Sequence, residues 1–487
     1  MTYLGRQLNA PASTVQLTAE GAITAGKPCI VEADGDVAQV AEIPVSQSAG
    51  TAALFESAAV RYVAAAYDSN AQKVVIVYTD DGNSSYGTAV VGTVSGDSIS
   101  FGTPVVFESA STLHISITYD SNAQKVVISY NDFNNSQKGT CIVGTVSGTS
   151  ISFGSATAFE SGITADTAIV YDANAQKVVV AYRDTEDSNH GKAIVGTVSG
   201  TSISFGPTAT FESASTEDGT IAIAYDSNAQ KVVIAYKDGG NSNYGTAIVG
   251  TVSGTSISYG TAAVFESAYS WEISAAYDSD AQKVVIAYQD NPNSAQGTAI
   301  VGTVSGTDIS FGTAVVFESG TTSETSATYD STAQKVVIAY RDGGNSNYGT
   351  AIAGAVSGTS ISFNSATVFE AASTLYIAAV YDSNAEKVVI AYEDDANSDY
   401  GTAVVFQTGY SAPNLTSENF IGFAENNCTD NGLATIQLGG SVNDKQTSLT
   451  AGQTYFVQTD GTIGTTAASP SVTAGTAVSA TEILVKG

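Results

Sequence analysis

Tyr225-Asp-Ser-Asn-Ala-Gln-Lys-Val-Val-Ile234 decides the fold, because versions of it recur seven times along the chain. Its tyrosine falls at Tyr67, Tyr119, Tyr171, Tyr225, Tyr277, Tyr329 and Tyr381, spaced by 52 residues except for 54 between Tyr171 and Tyr225. Working outward from this copy, four runs read as strands: 220–225 (TIAIAY), 231–236 (KVVIAY), 246–252 (TAIVGTV) and 256–265 (SISYGTAAVF). All are rich in Val, Ile, Thr and aromatics, which suit a pleated surface. Turn residues separate them: Asp226-Ser-Asn-Ala229, Asp238-Gly-Gly-Asn241 and Ser253-Gly-Thr255. A unit of about 50 residues holding four antiparallel strands is the blade of a β-propeller. A parallel solenoid is the rival, but it has shorter repeats and no four-strand meander.

The ends of the repeat region argue for a closed ring. The last copy supplies 377–381, 387–392 and 402–406 and then stops, without a Ser-Ile-Ser-Phe-Gly strand. The missing piece stands at the other end, where Ala49-Gly-Thr-Ala-Ala-Leu-Phe-Glu-Ser57 matches Phe311-Gly-Thr-Ala-Val-Val-Phe-Glu-Ser319. The N-terminal strand is therefore expected to complete blade seven and leave no open edge. The expected fold is all-β: a seven-bladed propeller of four-stranded blades over 48–408. Residues 1–47 and 409–487 lie outside it and share a pattern. Ile23-Thr-Ala-Gly-Lys-Pro-Cys-Ile-Val-Glu-Ala-Asp-Gly-Asp-Val37 parallels Leu449-Thr-Ala-Gly-Gln-Thr-Tyr-Phe-Val-Gln-Thr-Asp-Gly-Thr-Ile463, each with an Asp-Gly hairpin cue. Both ends are expected to form one small β-sandwich or barrel.

With 47 acidic and 17 basic residues, a net charge of −30, the chain is a poor partner for nucleic acid or anionic membranes. No run of 18 apolar residues predicts a membrane-spanning helix, and Met1 to Ala10 has no apolar signal segment, so synthesis in a cytoplasm without membrane insertion is expected. Three cysteines make no disulfide framework. Cys141 stands where other copies have Ala, as at Ala89 and Ala247; Cys29 and Cys428 lie in the two terminal segments, and a bridge between them is left open.

The terminal segments carry a family resemblance. Asn419-Phe-Ile-Gly-Phe-Ala424, Ala434-Thr-Ile-Gln437, 449–461 and Ala480-Thr-Glu-Ile-Leu-Val-Lys-Gly487 resemble the C-terminal module of structural proteins of marine bacteriophages, fibre-like and capsid-surface proteins among them; Leu17-Thr-Ala-Glu-Gly-Ala-Ile-Thr-Ala-Gly26 is similar to the segment that opens them. The resemblance covers about a quarter of the chain. It implies a virion anchor with other virion proteins as partners, and a place on the virion surface. It transfers no catalytic residue.

Comparing the seven copies locates a candidate site. Asp-Ser-Asn-Ala-Gln-Lys and Ser-Gly-Thr-Ser hardly change, whereas the expected loop leading into the first strand changes freely. It holds Arg61-Tyr62, Leu113-His114, Ala165-Asp166, Glu217-Asp218, Trp271-Glu272, Ser323-Glu324 and Leu375-Tyr376. Aromatics beside carboxylates suit sugars, whose apolar faces stack on rings and whose hydroxyls donate to acids. The candidate ligand-binding residues are thus Arg61, Tyr62, His114, Asp166, Glu217, Asp218, Trp271, Glu272, Glu324 and Tyr376; loop drift without selection explains the variation equally simply. The loops after the second strand begin with Asp80, Asp132, Asp184, Asp238, Asp290, Asp342 and Asp394, each followed three residues on by Asn or Asp. This is the spacing of an Asx turn, with Ca²⁺ the alternative. The glutamates from Glu56 to Glu370 and lysines from Lys73 to Lys387 are expected to pair across blades, and His190 replaces a tyrosine of its column.

Enzyme signatures are missing. Sialidase-like propellers need an arginine cluster, and Arg6, Arg61, Arg183 and Arg341 form no matching set. There is no phosphate loop, His-metal spacing or nucleophile elbow. The expectation is a non-enzymatic virion surface protein, a tail fibre or capsid decoration, that contacts a host-surface glycan or protein without a cofactor. A ligand-free decoration, and a bacterial propeller lectin or glycan-acting enzyme, are the alternatives. No heptad repeat supports a fibre trimer, so any homo-oligomer would need another interface.

Overall fold

The computed structural model describes residues 14–216 and 221–486. The chain is all-β and divides into two compact units, Ser46–Gly409 and the combination of Met1–Val45 with Tyr410–Gly487. Among the described residues no helix is long and apolar enough to cross a membrane.

In the larger unit every repeat folds as an antiparallel meander. Lys231–Asp238 lies between Ala222–Asp226 and Tyr244–Ser253, with Tyr225 opposite Val232 and Ala235 opposite Ala247. Val232, Val233, Ile234, Ala235 and Tyr236 are fully buried, which is why this run has no polar alternation. One expectation is corrected. The fourth strand does not reach the next repeat through a loop. It continues as a single strand such as Val105–Asp120, Ala263–Asp278 or Thr367–Asp382, whose first half pairs with its own repeat and whose second half opens the next.

The pairing closes on itself. Phe406 is opposite Ala49 and Ala403 opposite Ala53, so Tyr400–Gln407 receives Ser48–Ala49 and Ala53–Asp68 as its outer partners. Glycine marks six of the seven junctions. At Gly102 a Cβ would lie 1.9 Å from the Thr149 carbonyl oxygen in the turn of the following repeat; at Gly312 it would lie 1.8 Å from that of Thr359. Gly50 meets Asp97 of the first repeat in the same way, at 2.0 Å. The one copy with a side chain, Asn364, precedes the repeat that runs out through Gln407 and lacks the Ser-Gly-Thr turn.

The recurring phrase serves these junctions. Asp226 Oδ1 accepts from the Asn228 and Ala229 amides at 3.0 and 2.8 Å, and the Asn228 amide donates to the Tyr277 hydroxyl of the next repeat at 3.2 Å. Tyr67 does the same across the closure, bonding the Ser383–Asn384 turn. The glutamate column bonds across repeats too, but to tyrosine and not to lysine: the Tyr78 hydroxyl donates to Glu56 at 3.0 Å and that of Tyr236 to Glu212 at 3.0 Å. The lysines stand elsewhere; Lys387 reaches Asp97 at 3.1 Å.

The smaller unit holds two five-stranded sheets. One orders Thr14–Thr18, Leu433–Gln437, Phe420–Ala424, Pro28–Val31 and Val37–Gln39, so strands from both ends of the chain interleave. The other is built from C-terminal strands, Thr454–Val457 and Val472–Ala477 among them. Ile30, Ala38 and Phe423 of the first pack with Val457, Ala474 and Ile483 of the second. Both Asp-Gly cues are tight turns, with Gly35 and Gly461 at φ of 95° and 74°. Cys29, Cys141 and Cys428 are free thiols, and Cys141 fills its alanine position fully buried.

Candidate functional site

The variable pairs sit at a bulge inside the long strands. In Val105–Asp120 the register shifts between Leu113 and Ser116, so His114 and Ile115 have no ladder partner. The second member of each described pair takes up the left-handed backbone region: Tyr62, His114, Asp166, Glu272, Glu324 and Tyr376 have φ between 49° and 55°. Such conformations cost energy for side chains of this size, and the surrounding ladder imposes them.

The bulge turns these six side chains toward one another. The Tyr62 and His114 rings are 5.3 Å apart. His114 Nδ1 lies 3.3 Å from Asp166 Oδ1. The Glu324 amide donates to Glu272 Oε2 at 3.2 Å, and the Tyr376 amide to Glu324 Oε2 at 2.9 Å. The Tyr376 and Tyr62 rings are 5.3 Å apart, which joins the last repeat to the first. Each link connects equivalent positions of successive repeats and runs from Glu272 through Glu324, Tyr376, Tyr62 and His114 to Asp166; Glu217 and Asp218 lie outside the described residues.

First members of the pairs behave differently. Arg61 makes a two-pronged bond to Asp81 at 2.6 and 2.7 Å. Burial works against the Asp81 carboxylate, yet the Arg61 and Ser85 bonds hold it below the usual range. Trp271, 37% exposed, lies 5.9 Å from Tyr269, and the two rings cover the Lys237 ammonium at 4.6 and 4.5 Å. Trp271 therefore flanks the ring, whereas Arg61, besides holding Asp81, lies over the Tyr62 ring at 6.0 Å.

A second variable column escaped the sequence reading. In the near-invariant Lys-Val-Val-Ile-Ala-Tyr-x-Asp strand, x is Thr79, Asn131, Arg183, Lys237, Gln289, Arg341 and Glu393. Most of these reach into the next repeat as donors. Thr79 Oγ1 bonds the Thr112 carbonyl at 2.7 Å, Asn131 Nδ2 that of Thr164 at 2.6 Å, and Gln289 Nε2 that of Thr322. Lys237 Nζ bonds the Tyr269 hydroxyl at 3.2 Å and Arg341 Nη2 the Ser373 hydroxyl at 3.4 Å. Arg183 turns to Asp166, with Nε 2.9 Å from Oδ2. Glu393 breaks the series, because a carboxylate cannot donate. The signal was a polar, changing residue in a buried strand; attention to loops alone passed over it.

Charge divides the ring. Burial, and then Glu324, push the Glu272 carboxyl up; burial pushes Glu324 up, while Arg341 pulls both down. Glu393 is raised to about 8 by burial and then by Asp399, Asp395, Glu324 and Asp81. Burial first, then Tyr62, Glu393 and Glu324, push Tyr376 to about 12. Around Asp166 acids meet bases: Asp166 lies beside Arg183 and His114, and Lys192 bridges Asp184 and Asp187 at 2.7 Å each. His190 joins that cluster, 3.4 Å from Asp187, and so is more than a packing replacement.

The loop aspartates make Asx turns: Asp80, Asp132, Asp238 and Asp342 accept from the amide three residues on. Among the described residues no group of three or more His, Cys, Asp or Glu is placed to hold a metal ion. A concavity of about 280 Å³ in the smaller unit, between Lys27, Lys445 and Gly461, has its Lys27 Nζ turned to the Gly461 carbonyl at 3.3 Å and gathers no reactive set.

Meanders of this kind, with their side chains converging in a ring, are a β-propeller fold. No family model and no curated protein matches the sequence. Among solved structures the chain is similar to the BP39L lectin of Burkholderia pseudomallei, at 10% identity and a TM-score of 0.51, over 73% of this chain and 99% of that one. It is also similar to a leech intramolecular trans-sialidase complexed with 2,7-anhydro-Neu5Ac, at 9% identity and a TM-score of 0.41, over 75% of this chain and 70% of that one. At these identities the likeness speaks for the fold alone.

Proposed function

We propose that the protein is a non-enzymatic glycan-binding protein of a virion surface, with a seven-bladed propeller that carries the binding ring and a split β-sandwich that anchors it to other virion proteins. One observation carries the binding half: Tyr62, His114, Asp166, Glu272, Glu324 and Tyr376, at equivalent positions of six repeats, converge as aromatic rings beside carboxylates. Rings stack on sugar faces, and the carboxylates accept sugar hydroxyls. A lectin among the proteins of similar fold agrees with this reading. The virion half is supported by the resemblance of 419–424, 434–437 and 449–461 to phage structural modules.

A glycan array probed with the full-length protein tests the first half; a Tyr62→Ala/Tyr376→Ala variant should lose binding by about tenfold or more, and an array blank at every sugar would sink it. Mass spectrometry of purified particles tests the second half, and a chain absent from all of them removes it. A glycan-acting enzyme is the second reading, favoured by the raised carboxyls of Glu272, Glu324 and Glu393, since a protonated carboxyl near neutral pH is what a general acid requires. Release of reducing sugar that Glu272→Gln or Glu324→Gln abolishes would establish it in place of simple binding.

A further inference from the structure

The charges around the ring narrow the ligand. Three arginines approach it and each already faces acid: Arg61 grips Asp81, Arg183 holds Asp166, and Arg341 faces Glu272 and Glu324. Among the described residues Arg61 and Arg183 are committed to ion pairs, and Arg341, whose Nε is buried without a hydrogen bond, is outnumbered by Glu272 and Glu324. The surplus has the opposite sign. Glu393 is 5% exposed, has neither a hydrogen bond nor an ion pair among the described residues, and faces Asp399, Asp395, Glu324 and Asp81. Its charge also bears on Tyr376, whose ring stands against that of Tyr62. A buried carboxylate among carboxylates, beside two electron-rich rings, favours a cation, through charge-assisted hydrogen bonds and through the ring faces.

We infer that the ligand is a sugar bearing a free ammonium group, held between the Tyr62–Tyr376 rings and the carboxylates of Glu324 and Glu393. This rests on the reading of the ring as a glycan site and specifies its ligand class. Binding of such a cation favours loss of the Glu393 proton, so affinity rises as pH climbs toward 8 and falls again where the sugar ammonium gives up its own proton. The groups facing Glu393 are Asp81, Glu324, Asp395, Asp399 and Tyr376, with Arg61 bound to Asp81.

Calorimetric titration of the full-length protein compares three probes: a glucosamine trisaccharide, its fully N-acetylated form, and a sialylated trisaccharide. The amine should bind at least about tenfold tighter than the acetylated sugar at pH 7. Glu393→Gln should remove that preference and keep binding of the acetylated form, with an unchanged circular dichroism spectrum. Gln289 occupies the equivalent position, so the variant is compatible with the fold. Equal affinity for amine and acetylated forms, or preference for the sialylated one, overturns this inference and leaves the glycan reading standing. Absence of binding to all three and to the glycan array removes both. A preference that survives Glu393→Gln overturns the assignment of that carboxylate.

Discussion

At the residue scale, Glu393 stands where other repeats place a donor, and its protonation governs more than binding. Its carboxyl is raised from 4.5 to about 8 in the folded state, by burial and then by its acidic neighbours. A raised acid stabilises the fold while protonated, fully below pH 4.5, and that contribution is lost as pH climbs toward 8. The melting temperature should therefore fall between about pH 5 and pH 8, and Glu393→Gln should flatten this slope and melt higher at pH 8; equal slopes for the two proteins would refute it. Trp271 offers a contrast. Trp271→Ala uncovers Lys237, so it should lower stability by about 1 kcal/mol in urea titration and leave the sugar affinity of the ring within about twofold. Tyr376→Ala should do both, weakening sugar binding and costing stability by about 1–3 kcal/mol, because its ring packs against Tyr62 and the core.

At the scale of the element, invariance has structural causes. The second residue of its strand, Gly245, is glycine because a Cβ there would come within 2.4 Å of the Phe265 ring. Tyr236 is fully buried because its hydroxyl ends on Glu212 of the preceding repeat. Tyr236→Phe should cost about 1–2 kcal/mol by stranding that half-buried carboxylate, and Gly245→Ala about 1–3 kcal/mol by overpacking, both read from denaturant midpoints; a cost below a few tenths of a kcal/mol for either would contradict these contacts. Strand composition and turn residues made the meander legible in the sequence. The continuous run from outer strand to next inner strand was not legible, because Glu266-Ser-Ala-Tyr-Ser-Trp-Glu272 reads as a polar connection. Its extended path comes from pairing with different strands on its two halves, which no local pattern reports.

For the whole molecule, closure is the central feature, and it has a paired test. Gly50→Ala sets a Cβ against Asp97 at the junction where the chain's two ends meet; Asn364→Ala makes the same residue where the following turn is absent. The first should lower the melting temperature by several degrees, at about 1–3 kcal/mol, and the second should leave it nearly unchanged; equal shifts would argue against the closure. Sequence alone determined the repeat, its four strands and the complementary split that joins Tyr400–Gln407 to Ala53–Asp68, because these are periodic local patterns and a counted surplus and deficit of one strand. It also marked the variable pairs. Tertiary structure alone decided which members meet: Tyr62, His114, Asp166, Glu272, Glu324 and Tyr376 converge, Trp271 turns to Lys237, and the glutamates find tyrosines and not lysines. The physical reason is that a bulge and a ring closure bring together positions one repeat or a whole unit apart, and hydrogen bonding, ring stacking and charge balance are settled between those neighbours in space.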